Sequence, residues 1–226
     1  MLRRADTQLT EGLSEAIGGP RLVRQTMKIQ LNAGDGACFP YHFDSERAVD
    51  SRIVTAILYL NPDWRPLHGG ELQLLPCPLA PVELEPLFDR LVLFSSVDML
   101  HRVQPSWATR LCLTLWFYSA DSADASAPRI EPEVEALGVL LRPDLRHLFA
   151  RYAYSREWAV SIEQSHEPSP ERQHALDTQK YDVDRIEVAL QKKLAAAGFD
   201  ADALLDAKRS LPLLPEQSTV RYFQPH

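Results

Sequence analysis

The sequence predicts a mainly β protein, with a jelly-roll core followed by a C-terminal α-helical extension. Between residues 21 and 118, short apolar segments rich in β-branched residues alternate with turns containing Gly and Pro, and no helical pattern intervenes. After residue 132 the apolar residues recur with the 3.6-residue period of helices. Among sandwiches and barrels, the jelly roll is the form that places metal ligands inside a double sheet.

The two patterns also predict the domain organisation. A chain of 226 residues is long enough for one domain with an appendage. A stretch of small polar residues separates the two patterns and is typical of a linker. We therefore predict a core at residues 1–119, a linker at 120–132 and a helical extension at 133–226.

Composition narrows the choice of binding partners and of cellular compartment. A net charge of −7 argues against nucleic acid or an anionic membrane as the main partner. Three cysteines without a CxxC pair favour a reducing compartment, and no apolar stretch has the length of a signal peptide or a membrane span. We expect a cytoplasmic protein, or a nuclear one in a eukaryote, and a homodimer through the helical extension stays open.

The individual elements follow from periodicity and from turn residues. Strands are predicted at 21–31, 41–44, 53–60, 71–75, 90–94 and 110–118, with residues 101–103 leaving a polar loop. A first helix is predicted from Thr10, as its cap, to Ile17. Later helices are predicted at 133–141 and 143–158, then from an N-cap at Asp182 to just before Gly198, and from Asp200 to Arg209.

A candidate metal site begins with His42 and Asp44, which are two residues apart. On an extended strand such side chains lie on the same face, so the imidazole and the carboxylate converge. His101 supplies a second imidazole, and two His with one carboxylate form the facial triad of non-haem Fe(II) oxygenases. A His-x-Asp pair alone is equally typical of an exposed strand end, so the interpretation depends on the surrounding residues.

Arg110 begins a strand with two different faces. One face carries Leu111, Leu113, Leu115 and Phe117, and the other carries Arg110, Cys112, Thr114, Trp116 and Tyr118. We expect the apolar face to meet covering structure and the mixed face to line a cavity. A buried guanidinium there needs an anionic partner, because an unpaired buried charge is costly.

Two partners for Arg110 remain open. One is a carboxylate of the protein itself. The other is the distal carboxylate of a dicarboxylate cosubstrate, which an arginine binds with two parallel hydrogen bonds. Tyr59 lies on a neighbouring predicted strand and Thr114 lies on the Arg110 face, so both are placed to contact the same carboxylate.

Several motifs occur in an order that resembles a known enzyme family. They are His42-x-Asp44, Tyr59-Leu-Asn-Pro-Asp-Trp64, Gly69-Gly-Glu-Leu72, Phe88-Asp-Arg-Leu91, His101-Arg-Val-Gln-Pro105, and Ala108-Thr-Arg110 with Thr114-Leu-Trp116-Phe-Tyr118. Over residues 27–121 the chain is similar to the 2-oxoglutarate and Fe(II)-dependent dioxygenases of the prolyl 4-hydroxylase type, particularly to the hypoxia-factor prolyl hydroxylase branch.

The resemblance implies a double-stranded β-helix core and a set of site residues. The implied iron ligands are His42, Asp44 and His101. The implied cosubstrate residues are Arg110 as the clamp, Tyr59 and Thr114 as supporting contacts, and Trp116 as pocket lining. The implied cofactors are Fe(II), 2-oxoglutarate and O2, with ascorbate as a reductant.

Two positions depart from the pattern of this family. Asn32 stands where the prolyl hydroxylases have a tyrosine, about ten residues before the first iron-binding His, and Phe39 stands where the hypoxia branch has another. Both departures leave iron and cosubstrate binding intact but bear on the specificity for proline. Only 41 residues precede His42, where the family places supporting helices and a substrate lid. The chain is therefore a minimal enzyme, a fragment, or one in which the helices after residue 132 replace that support.

We therefore expect an enzyme, a 2-oxoglutarate-dependent dioxygenase that hydroxylates an unactivated C–H bond and releases succinate and CO2. A prolyl residue is the first candidate, and the partner is a protein or peptide substrate or a small molecule. One alternative is hydroxylation of a small molecule or of a non-prolyl residue. Another is a non-catalytic jelly-roll module that binds 2-oxoglutarate or a partner.

Overall fold

The computed structural model describes residues 2–18, 21–46, 50–120 and 135–212. The linker predicted at 120–132 lies outside this part of the chain except for its first residue, so the domain boundaries remain a prediction. Among the described helices, none is long and apolar enough to cross a membrane.

The strands occupy the first half of the chain and the helices mostly the second. The strands are β1 Leu22–Asn32, β2 Ala37–His42, β3 Arg52–Tyr59, β4 Leu72–Leu75, β5 Val82–Leu84, β6 Leu91–Ser95, β7 Leu100–Ser106 and β8 Arg110–Ser119. The helices are α1 Leu2–Ile17, α2 Ala136–Leu140, α3 Arg146–Ala153, α4 Ser155–Ser165, α5 Pro170–Ala196 and α6 Ala203–Arg209. A short 3-10 turn spans Pro66–His68.

These strands form two antiparallel four-stranded sheets. One has the order β1-β8-β3-β6 and is called the β8 sheet below, and the other has the order β2-β7-β4-β5 and is called the β7 sheet. Their inner faces enclose an apolar core composed of Ile57, Tyr59, Leu72, Leu74, Val92, Phe94, Val103 and Cys112. The prediction of a jelly-roll core with a C-terminal helical region is confirmed.

The segment around His101 differs from its prediction. Residues 101–103, which the sequence places at the exit of a polar loop and not in a strand, lie within β7, where His101 and Arg102 are both buried. Burial of these polar side chains is tolerated because each has hydrogen-bonding partners in the fold. A run of polar residues therefore does not always indicate a loop, because hydrogen-bonding partners far away in sequence allow such residues to be buried in a strand.

Two predicted helix starts are also wrong. Thr10 is not a cap, because α1 begins at Leu2 and the Thr10 carbonyl accepts a hydrogen bond from the Ser14 hydroxyl within the helix. The long helix α5 begins at Pro170, and the hydroxyl of Ser169 caps it by accepting from the Arg172 amide at 3.1 Å. Asp182 lies inside this helix. A serine followed by proline is a common helix start, and only the second half of α5 carries the buried apolar stripe.

The outer faces of the two sheets are covered differently. Helices α2 to α6 form one large apolar cluster with Tyr41, Leu75 and Leu100 on the outside of the β7 sheet. On the β8 sheet, the described side chains of α1 cover the end around Leu22 and Phe117.

In the part of the chain that the structure describes, nothing covers the rest of that outer face. Met27, Ile29 and Leu31 are 62%, 67% and 66% exposed, and they lie beside Leu115, Leu113 and Leu111 in the β1–β8 register. Among the described residues, the expectation that the apolar face of β8 meets covering structure holds near α1.

Candidate metal centre and cosubstrate pocket

The two candidate histidine ligands meet through strand pairing. His42 ends β2 and His101 lies near the start of β7, and the two residues face each other directly in the antiparallel register. Their ring centroids are 4.3 Å apart. Residues directly opposite on paired strands share a face, so both imidazoles point into the space between the sheets.

Asp44 reaches the same point by a turn and not along the strand. β2 ends at His42, and Asp44 lies in the bend that follows. The guanidinium of Arg52, at the start of β3, donates to the backbone carbonyl of Asp44 at 2.8 Å and holds this bend. The predicted convergence of His42 and Asp44 is present, but its predicted cause, an extended strand, is wrong.

The donor atoms fit one metal ion. The Asp44 Oδ1 atom is 3.6 Å from His42 Nε2 and 3.9 Å from His101 Nε2, and the three ligand atoms all lie within 4.8 Å of one another. Two donors bound to one ion at about 2.1 Å are separated by about 3.0 to 4.2 Å, and both Asp44 distances fall in that range. His42, Asp44 and His101 could therefore hold a divalent cation.

Hydrogen bonds orient both imidazoles for this role. His42 Nδ1 lies 2.8 Å from the Pro40 carbonyl oxygen, and His101 Nδ1 lies 2.9 Å from that of Met99. A carbonyl only accepts, so each Nδ1 carries the proton and each Nε2 presents its lone pair towards Asp44. Such outer contacts fix the tautomer and the ring orientation of metal-binding histidines.

The two oxygens of the Asp44 carboxylate have different contacts. Its Oδ2 atom accepts hydrogen bonds from the Thr55 hydroxyl at 2.6 Å and from the Trp116 indole at 3.2 Å, which leaves Oδ1 facing the histidines. Trp116 was predicted as pocket lining, and the structure gives it this contact with the carboxylate. Thr55 was missed, although a fully buried threonine within an apolar strand is a signal that its hydroxyl has a partner.

Local electrostatics keep two of the ligands in the form that binds metal. Burial alone would raise the pKa of Asp44, but the neighbouring His42 and His101 imidazoles and the hydrogen bond from the Thr55 hydroxyl hold it well below its usual range. Burial, reinforced by neighbouring His42, lowers the pKa of His101 to about 4, although Asp44 opposes this shift. At neutral pH the carboxylate is therefore ionised and His101 is neutral, as metal binding requires.

Arg110 is a buried cation held by neutral groups. It is 2% exposed, and its Nε donates to the Gly70 carbonyl at 2.9 Å while its Nη2 donates to the Tyr59 hydroxyl at 3.4 Å. Among the residues that the structure describes, no carboxylate forms an ion pair with it. Because burial of an unpaired charge is unfavourable, this arrangement favours an anionic ligand over a protein carboxylate as the partner.

The glycine pair before β4 allows the close approach to Arg110. A Cβ atom at Gly70 would lie 2.8 Å from the Arg110 Cδ, and one at Gly69 would lie 2.2 Å from the Pro105 carbonyl oxygen. Both glycines also have positive φ values, of 63° and 78°, which side chains disfavour. Glycine at both positions therefore keeps the guanidinium beside the Gly70 carbonyl.

The remaining predicted pocket residues lie on the inner face of the β8 sheet. Tyr59 is fully buried, and burial raises its pKa to about 12, so its hydroxyl is a neutral donor. Thr114 is buried on β8, between Lys28 of β1 and Ile57 of β3 in the register. Asn32, one of the two departures from the family pattern, is buried opposite Arg110.

The donor set defines the class of protein. Two imidazoles and one carboxylate leave three positions of an octahedral ion open, which is the arrangement of the non-haem Fe(II) oxygenases. The buried Arg110 presents guanidinium donors whose geometry fits a carboxylate.

Comparison with known proteins gives the family within this class. The sequence profile of the 2OG-Fe(II) oxygenase superfamily matches residues 27–118. Mouse prolyl hydroxylase EGLN3 is 42% identical over 101 residues, which are 43% of this chain and 42% of the mouse protein. Rat Egl nine homolog 1 is 36% identical over 114 residues, 49% of this chain and 33% of the rat protein. A solved prolyl 4-hydroxylase from Phytophthora capsici is 30% identical with a TM-score of 0.68, covering 90% of this chain and 70% of its own.

The chain belongs to the 2OG-Fe(II) oxygenase superfamily, and within it to the prolyl hydroxylase type. Members of this superfamily use Fe(II), 2-oxoglutarate and O2. The chain spans less than half the length of the curated relatives that it matches.

Proposed function

We propose that this protein is an Fe(II)- and 2-oxoglutarate-dependent dioxygenase that hydroxylates a prolyl residue of a protein or peptide and releases succinate and CO2. One observation carries the proposal: an open His-Asp-His triad lies in the same jelly roll as a buried arginine that has no carboxylate partner among the described residues. The relatives that carry prolyl hydroxylase names support proline as the target.

The proposed metal ligands are His42 Nε2, Asp44 Oδ1 and His101 Nε2. When bound there, Fe(II) supplies the activation of O2 that a protein side chain cannot provide. Thr55 and Trp116 orient Asp44 through its other oxygen. The backbone carbonyls of Pro40 and Met99 hold the protons on the far side of the two rings.

Arg110 is the proposed clamp for the distal carboxylate of 2-oxoglutarate. Its guanidinium presents donors in a plane that matches a carboxylate, and the Tyr59 hydroxyl beside it is neutral and can donate as well. We assign Thr114 a further contact from the same face of β8. The protein thereby fixes the position of the cosubstrate before O2 reacts, which limits oxidation of its own side chains.

One of the two departures from the family pattern lies next to the proposed cosubstrate clamp. Asn32 lies opposite Arg110 in the β1–β8 register, beside the cosubstrate clamp and not beside the candidate metal ligands. The departure at Asn32 was expected to bear on the specificity for proline and to leave cosubstrate binding intact, but this location favours an effect on cosubstrate binding. Phe39, the second departure, pairs with Val103 and is partly exposed, so it can face a bound substrate.

We also propose that the protein works in a reducing compartment such as the cytoplasm. All three cysteines, Cys38, Cys77 and Cys112, are free thiols. Protein thiols persist in this form where glutathione and thioredoxin keep them reduced.

The test is an anaerobic titration of the metal-free protein with Fe(II) and 2-oxoglutarate, in which the visible charge-transfer band is monitored. O2 is then admitted, and succinate is measured with and without proline-containing peptides. We expect the band to form and succinate release to rise with a prolyl peptide, but not with the same peptide carrying Ala for Pro. A folded protein that forms no band would contradict the proposal and favour a non-catalytic module. If only a small molecule or a non-prolyl peptide stimulates succinate release, the proposed substrate changes to that class of molecule.

A further inference from the structure

The residues next to the candidate metal ligands in sequence contact the helical region. Tyr41 and Phe43 flank His42, and Arg102 follows His101. The ligands point between the sheets, and neighbours along a strand point to the opposite face. The outer face of the β7 sheet is the one that α3 and α4 cover, so these neighbours anchor the ligand-bearing segments to the helices.

Strong contacts tie the two ligand-bearing strands to α4. The backbone amide of Tyr41 donates to the Ser161 hydroxyl at 2.9 Å in a buried position, and that hydroxyl donates to the Trp158 carbonyl at 2.7 Å. Arg102 donates to the Gln164 side-chain carbonyl at 2.9 Å. Backbone and side-chain hydrogen bonds thus fix β2 and β7 on the same helix.

In the sequence, Phe43 lies between the first two candidate ligands, His42 and Asp44. Its ring centroid is 4.3 Å from that of His147 on α3 and 6.1 Å from that of Trp158 on α4. β2 ends at His42, so strand pairing no longer controls the chain at Asp44. The packing of the Phe43 ring and the hydrogen bond from Arg52 are therefore among the described contacts that hold the chain at this bend.

Helix α3 also contacts the chain segment that leads to His101, the third candidate ligand. Arg146, the first residue of α3, forms an ion pair with Asp98 in the turn between β6 and β7. This turn leads directly into Met99, whose carbonyl accepts from His101 Nδ1. α3 thus touches chain segments on both sides of the candidate metal centre.

We propose that Phe43 is a positioning residue for the metal centre, and that α3 and α4 form the support on which it acts. This inference rests on the proposed function. The Phe43 side chain offers no metal-binding atom; it sets the separation of the Asp44 carboxylate from the two imidazoles. Loss of its ring should weaken Fe(II) binding by about 10- to 100-fold, as loss of outer contacts at metal sites typically does. The 2-oxoglutarate requirement at saturating Fe(II) should change little, because Arg110 lies on the other sheet.

The experiment compares Phe43→Ala with Leu204→Ala by anaerobic Fe(II) titration in the presence of 2-oxoglutarate and by thermal unfolding of the metal-free protein. Leu204 is buried in the same apolar cluster, but on α6, which packs on α2 and α5. Both variants should lower the unfolding temperature, whereas only Phe43→Ala should raise the Kd for Fe(II). Phe43→Leu, which retains most of the volume without the ring, provides a second variant if Phe43→Ala does not fold, and it should weaken Fe(II) binding by a smaller factor.

The outcomes separate this inference from the proposed function. Wild-type protein that binds no Fe(II) overturns the proposed function, and this inference with it. If the wild type binds Fe(II) and Phe43→Ala and Phe43→Leu bind it equally well, only the positioning role is overturned. Equal weakening by Leu204→Ala also overturns it, because general loss of stability then explains the effect.

Discussion

The two sheets of this jelly roll contribute to the candidate site in different ways. The β7 sheet carries His42 and His101, and its outer face is packed against the C-terminal helices. The β8 sheet carries Arg110, and much of its outer face is exposed. The metal side therefore depends on packing between distant parts of the chain, whereas the cosubstrate side is built from the strands and the turns that join them.

The difference has a physical basis in how each key side chain is held. Arg110 begins a paired strand, and a backbone carbonyl and a tyrosine on neighbouring segments orient it. Asp44 lies beyond the end of β2, so it requires the hydrogen bonds of Thr55 and Trp116 and the packing of Phe43. A ligand on a turn needs more support from other elements than a ligand on a paired strand.

The largest effect is expected for one of the proposed metal ligands. His101→Ala should weaken Fe(II) binding by more than about 100-fold, since even outer contacts of metal sites are worth 10- to 100-fold. Binding is measured by anaerobic titration, with circular dichroism to check that the sheets remain folded. His174→Ala, which removes an exposed histidine of α5, is the control and should bind Fe(II) like the wild type. Equal binding by His101→Ala would remove His101 from the ligand set.

The second prediction concerns the opposite sheet. Arg110→Ala should raise the 2-oxoglutarate concentration needed for half-maximal succinate formation by about 100- to 5000-fold, because breaking a buried ion pair costs about 3 to 5 kcal/mol. Arg110→Lys keeps the charge without the planar fork and should show an intermediate increase. Fe(II) binding without the cosubstrate should be unchanged. An unaltered 2-oxoglutarate requirement in Arg110→Ala would assign this arginine to structure alone.

The third prediction compares the outer faces directly by one substitution in each sheet. Leu75→Ala on β4 removes a fully buried side chain that packs with the helices, and it should lower the free energy of unfolding by about 2 to 5 kcal/mol. Leu31→Ala on β1 removes an exposed side chain and should lower it by less than about 1 kcal/mol. Urea unfolding measures both changes. Similar losses would show that the β8 sheet is covered in solution.

The smallest effect is expected at the hydroxyl that orients Asp44. Thr55→Val keeps the shape of the side chain but removes the hydrogen bond to Oδ2, so Fe(II) binding should weaken by about 10-fold. Thr26→Val is the matched control, since the Thr26 hydroxyl contacts Tyr118 and not Asp44. The same anaerobic titration compares the two variants, and equal affinities would mean that Trp116 alone is enough to orient the carboxylate.

Much of this arrangement was predictable from local patterns. β-branched segments separated by Gly and Pro turns identified the sheet core, and five of the strands lie where periodicity placed them: β1, β3, β4, β6 and β8. The short β5 was missed because its residues lie in a proline-rich connection. β7 was missed because its buried polar residues imitate a loop.

The sequence by itself determined the fold class, the family and the candidate residues, because these depend on residue type and spacing along the chain. The tertiary structure alone decided that Asp44 reaches the histidines by a turn, that Thr55 and Trp116 hold it, and that Phe43 packs between His147 and Trp158. Contacts such as that of Phe43 with Trp158 join segments more than a hundred residues apart. Such contacts leave no periodic signal in either segment, because they depend on how the helices dock on the sheet.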